Sequence, residues 1–201
     1  MEINVRNEST NVLTPLECTT SNELIVAPSG NSMARAVLAG RMFSVCNQAK
    51  VATTAALATT WTGLGIANPS TSGKNLIIYE FGAELQIASD AAGVVGLMTA
   101  DTTGITSASL TIRNCLDGTE GTYTTVAYAS AGATIGTPVL RRSLGTYGTE
   151  GTDTSLALTG PHHYKLDGNL VIPPGRSVLS YTTTATTATF VFHFVWEEVA
   201  V

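Results

Sequence analysis

Over most of this chain, apolar and polar residues alternate in short runs, and turn-forming residues divide the runs. The pattern starts at Phe43, Val45 and Val51, and continues through a segment from Leu57 to Ile66. Asn68-Pro69-Ser70-Thr71-Ser72-Gly73 closes that segment and is a loop by composition. Leu76 to Phe81 and Ala83 to Ile87 read as one long strand broken at Gly82. Leu85 and Ile87 alternate there with Glu84 and Gln86 at the period of two that a half-buried strand requires. A glycine in mid-strand predicts a bulge that bends the chain between two sheets.

Further strands are expected at Gly93–Met98, and at Ser109–Cys115 with Leu110, Ile112 and Asn114 on one face before a turn at Asp117-Gly118. Shorter candidates run Thr124–Ala129, Pro138–Arg142, Ser155–Leu158 and Tyr164–Leu166. Leu170-Val171-Ile172 ends in a Pro173-Pro174-Gly175 turn, Arg176–Tyr181 follows, and a long strand closes the chain from Ala188 to Val199. In that last strand Phe190, Phe192, Phe194 and Trp196 form one face, and Val191, His193, Val195 and Glu197 the other. The aromatic face is the expected heart of the core, at roughly 1.5–3 kcal/mol per buried large side chain. The other face is apolar at Val191 and Val195, which predicts cover on both sides by another layer or by a neighbouring subunit. Many short strands with regular turns give an all-β antiparallel sandwich, a jelly roll, over residues 41–201.

Residues 1–40 lack this alternation. They are polar, contain Pro15 and Pro28, and hold one helical segment, Asn31 to Gly40, with Asn31 or Ser32 as cap and Gly40 as stop. So short a helix does not persist alone in water, so it must dock. This region is therefore expected to be an arm, extended plus a short helix, that reaches a neighbouring subunit.

Composition supports the all-β reading. Threonine supplies about one residue in six and suits a pleated, half-exposed surface. Charged residues make up only 12% of the chain, about half the usual share, which fits a surface covered by neighbours in an assembly. The net charge of −5, with ten scattered Lys and Arg, argues against nucleic acid as a partner. Cys18, Cys46 and Cys115 are odd in number and widely spaced, so they suggest small apolar residues in a reducing cytoplasm rather than a disulfide or zinc framework. The opening residues carry no signal-peptide pattern, and the run Phe190–Trp196 is too short to span a bilayer, so no membrane partner is expected. Asn7-Glu8-Ser9 matches a glycosylation sequon of the kind chance supplies.

Candidate chemistry is thin. His162 and His163 are adjacent, and neighbours on extended chain point opposite ways, so they do not readily share a metal. His193 reads as one satisfied or interface imidazole. No nucleophile elbow occurs, and Asp90, Asp101, Asp117, Glu120, Glu150 and Asp153 read as turn formers, without calcium-loop spacing. Thr71-Ser72-Gly73-Lys74-Asn75 resembles a fragment of a phosphate loop but lacks its first glycine and its Ser/Thr, and a strand follows it. The expectation is a non-enzyme with no catalytic, cofactor-binding or metal residues.

The stretch from Arg41-Met42-Phe43-Ser44-Val45 through Asn68-Pro69-Ser70-Thr71-Ser72-Gly73-Lys74-Asn75-Leu76-Ile77-Ile78 resembles structural proteins of tailed bacteriophages. So do the opening residues up to Ser32, and Ile172-Pro173-Pro174-Gly175-Arg176-Ser177-Val178 with the aromatic strand after it. The ending also resembles trimeric jelly-roll heads of the tumour-necrosis-factor-like kind. Within that group capsid decoration (cement) proteins are the nearest functional match. The resemblance implies a virion protein made in the host cytoplasm, a homotrimer that clamps neighbouring major capsid proteins and stabilises the shell through linked binding and avidity. The alternative it leaves is a trimeric tail- or head-fibre, or receptor-binding, head. The expected contact residues are Met33, Val37 and Leu38 in the arm, and Val191, His193 and Val195 on the last strand. A secreted carbohydrate-binding sandwich is disfavoured, because neither Trp61 nor Trp196 supplies a row of exposed aromatics.

Overall fold

The structure, a computed structural model, describes residues 4–6, 13–15, 32–54, 56–87, 93–102, 110–147, 162–183 and 188–201. Met1–Arg35 and Ala36–Val201 form two compact units. In the first, β1 (Asn4–Arg6) and β2 (Leu13–Pro15) make an antiparallel pair with Val5 opposite Thr14. Helix α1 (Ser32–Leu38) ends as its sequence predicts. Gly40, at φ 67°, donates to the Val37 carbonyl, and the Arg41 amide donates to that of Ala36, a Schellman closure that needs a left-handed residue at Gly40.

The second unit is a sandwich of two antiparallel sheets. Its strands are β3 (Met42–Cys46), β4 (Val51–Ala52), β5 (Thr60–Asn68), β6 (Lys74–Ile87), β7 (Gly93–Asp101), β8 (Arg113–Asn114), β9 (Val126–Thr134), β10 (Val139–Tyr147), β11 (His162–Ile172), β12 (Arg176–Thr182) and β13 (Thr189–Ala200). One sheet has the order β11-β6-β13-β3-β8, with β4 beside the start of β13; the other has the order β10-β7-β12-β5-β9. Leaving aside β4 and the β8–β9 excursion, the chain alternates between the sheets except at β7 and β10, which pair in one sheet, and this is jelly-roll order. β8 and β9 both lie between β7 and β10 in sequence and extend the edges beside β3 and β5.

The aromatic face of β13 lies where its alternation places it. Phe190, Phe192, Phe194 and Trp196 are fully buried between the sheets, against Phe43, Phe81, Leu64, Ile66, Val95, Leu97 and Val178. Phe81 packs between Phe192 and Phe194, with ring centroids 5.8 and 4.9 Å away. Beyond the end of β3, Asn47 continues its pairing. Its amide donates to the Phe192 carbonyl, and its side chain receives the Phe192 amide at 2.5 Å and donates to the Phe190 carbonyl at 3.1 Å.

Cover on both faces belongs to the other sheet. The outward residues of β5, β7 and β12 form a second buried cluster of Trp61, Ala67, Met98, Ala100, Leu179 and Tyr181 with Ile135. Trp61 lies over Gly65, where a Cβ would stand 3.1 Å from its ring, and its indole N–H donates to the Ser180 carbonyl at 3.0 Å. Both tryptophans are thus interior. On β13 the outward Val191, His193 and Val195 are only half-buried.

Other expectations shift in register. Among the described residues of the strand expected at Ser109–Cys115, only Arg113–Asn114 pair, although Ile112 and Asn114 are buried as its alternation requires. The two short strands around Tyr164 and Leu170 are one strand, interrupted by a bulge whose turn residues Asp167 and Gly168 have φ of 47° and 79°. Asp117-Gly118 and Pro173-Pro174-Gly175 turn as expected, with Gly118 at φ 74° and Gly175 at φ 80°. Lys74 and Asn75 sit in β6, which rules out a phosphate loop there. Ser155–Leu158, the sequon at Asn7 and Cys18 lie outside the described residues.

Candidate functional site

Gly82 does not bend the chain between sheets. β6 runs unbroken through it, and the register shifts against β13 fall on either side, near Leu85 and Ile78. Its role is spatial. Gly82 pairs with His163 of β11 on one side and with His193 of β13 on the other. Strands stand about 4.8 Å apart, so the two histidine backbones are about 10 Å apart, with one residue between them. Any side chain there would separate the rings; a Cβ built on Gly82 overlaps the His193 imidazole. Without it the rings lean together over the glycine and stack, centroids 5.6 Å apart and planes 29° from parallel.

Glu80, two residues before Gly82, projects from the same outer face. Its Oε2 lies 3.1 Å from His163 Nε2. One donor atom from each of Glu80, His163 and His193 falls within 4.8 Å of the others. Burial pulls the His193 pKa below the ordinary histidine value, His163 beside it acts in the same direction, and Glu80 and Glu84 oppose them. His193 is therefore a neutral imidazole at neutral pH, with a lone pair available on one nitrogen.

Two rows cross this face. His163, Gly82, His193 and Cys46 form one; Lys165, Glu80, Val195, Ser44 and Arg113 form the other. At the β3–β8 end an open groove of about 650 Å³ is lined by Ser44, Cys46, Gln48, Leu110, Arg113 and His193 among others. The thiols nearby are not activated. Burial raises the pKa of Cys46, and burial also raises that of Cys115, where a hydrogen bond from Ser44 works against it and Glu80 adds to it. Both remain thiols, and weak nucleophiles, at neutral pH.

Of the residues expected at contacts, Val191, His193 and Val195 share this outer face, half-buried. Met33 and Val37 are half-buried in α1, and Leu38 is 75% exposed. Sequence reasoning missed the grouping of Glu80, His163 and His193. The adjacent pair His162-His163 drew attention, yet the partner of His163 is thirty residues further on. The legible signal was the period-two set Glu80, Gly82 and Glu84 on β6; the strands flanking it are set by register. Searches of protein-family models, of curated proteins and of solved structures find no match to this chain.

Proposed function

We propose that the chain is a structural subunit of a virus particle, a capsid decoration protein that binds the outer shell and clamps neighbouring major capsid proteins. The observation that supports this most is the apolar exposure on the outermost strands of the two sheets. Val139 and Leu140 on β10 are 51% and 40% exposed, and Val171 on β11 is 45% exposed. Large apolar side chains on an edge favour contact with another protein. Arg141, Arg142 and two register shifts on β10 oppose open-ended strand addition, so the edge suits docking to one defined neighbour through side chains. The low share of charged residues points the same way, and the jelly-roll connectivity is one that capsid domains use.

On this reading the subunit is a homotrimer, and repeated modest contacts around its axis give tight binding to the shell by avidity. It acts by assembly and not by catalysis. The test is incubation of purified chain with expanded shells that lack it, followed by sedimentation. Wild-type protein should pellet with the shells, and Val139→Ser combined with Leu140→Ser should leave most of it in the supernatant. Wild-type protein that stays in the supernatant overturns the reading, and attachment only at an appendage tip would favour a fibre head instead.

A further inference from the structure

The outer-face cluster has chemistry that an assembly role leaves unused. Three side chains from three adjacent strands converge, and the central strand gives up its own side chain at Gly82 to let them do so. We propose that Glu80, His163 and His193 form a binding site for a divalent transition metal ion of the Zn²⁺ class, held by two imidazole nitrogens and one carboxylate oxygen.

The His163–Glu80 contact alone is an ordinary hydrogen-bonded pair; the third donor beside it, from His193, is what makes the group fit an ion. Two donors on one ion, each bonded at about 2.0–2.2 Å, stand about 3–3.5 Å apart. His163 Nε2 and Glu80 Oε2 already stand 3.1 Å apart, and one donor atom from each of Glu80, His163 and His193 falls within 4.8 Å of the others. Binding at that spacing requires the half-buried His193 imidazole to turn toward the other two donors. The backbone positions are fixed by paired strands and not by loops, so the site is preorganised.

Donor type sets the metal class. Two imidazoles with one carboxylate suit Zn²⁺, Ni²⁺, Co²⁺ or Fe²⁺, whereas Ca²⁺ and Mg²⁺ prefer oxygen alone. Three protein ligands leave at least one position for water or for a group from a partner. That position is accessible, because His163 is exposed and His193 borders the open groove. This inference does not depend on the assembly reading, and its test involves no shell.

The test uses the full chain without a histidine tag, stripped with chelator and titrated calorimetrically with Zn²⁺. One ion per chain is expected, with no response to Ca²⁺. His163→Ala and Glu80→Gln should each weaken binding by more than about 100-fold, since each removes a direct ligand and loss of an outer-shell partner alone costs about 10–100-fold. Both side chains are partly exposed, so these variants should keep the wild-type melting temperature in chelator. Cys46→Ser, at the neighbouring groove position, should bind as wild type does. Absence of stoichiometric Zn²⁺ binding overturns the proposal, as does unchanged binding in both ligand variants or its loss in Cys46→Ser. Should a variant fail to fold, Co²⁺ added to the wild-type chain decides the matter: visible bands without a thiolate charge-transfer band support the site, and a thiolate band or no bands refute it.

Discussion

Glu198 shows how a charge is kept inside a sandwich. Its side chain is 1% exposed, yet Lys74 Nζ reaches Oε2 at 2.8 Å, and the amides and hydroxyls of Thr124 and Thr125 surround both oxygens. Burial acts to raise its pKa and is the largest single influence, but Lys74 and the threonine donors together outweigh it, so the carboxylate titrates below its ordinary range. Glu198→Gln turns an acceptor into a donor facing donors, and should cost about 1–3 kcal/mol in urea denaturation. The sign of the pH dependence follows from the lowered pKa. The unfolded carboxylate takes up its proton first, so this stabilisation is complete above the ordinary carboxylate range and is lost as pH falls through the lower native value. In Glu198→Gln the acid limb of the stability curve should be shallower. Gly82 is the second decisive residue: Gly82→Ala should force the His193 ring aside and lower stability by about 1–3 kcal/mol, read as a lower melting temperature.

At the scale of elements, period-two alternation was sufficient to place β6, β12, β13 and the core face of β13. Phe192 is fully buried and touches both Phe81 and Phe190, so Phe192→Ala should cost about 3–5 kcal/mol in chemical denaturation. Alternation does not say which strands become neighbours. The meeting of His163 with His193, separated by thirty residues, depends on β11 and β13 both flanking β6, which only the sheet order supplies. For the same reason Gly82 read as a bend, although a glycine opposite two large side chains is equally a space left for them. Ala56, at φ 48°, and the start of β5 at Thr60 shift the strand expected over Leu57–Ile66, because Leu57 sits in a turn. Two-faced burial was inferred for β13 from Val191 and Val195, but the alanines, glycines and serines of β5, β7 and β12 hide a stronger case of it.

For the whole molecule, the division into Met1–Arg35 and Ala36–Val201 predicts separable behaviour. A chain lacking residues 1–31 should still unfold in one cooperative transition, while binding shells more weakly than the full chain; loss of the cooperative transition would show that the sandwich needs the arm. The jelly-roll class was legible from strand count, turn spacing and threonine content, whereas a role in assembly rests on exposed Val139, Leu140 and Val171 together with sparse charge. The most direct measurement is cryo-electron microscopy of shells incubated with the full chain. Density for the sandwich at regular lattice positions on the outer surface is the predicted result. Shells that remain bare at saturating protein would contradict it.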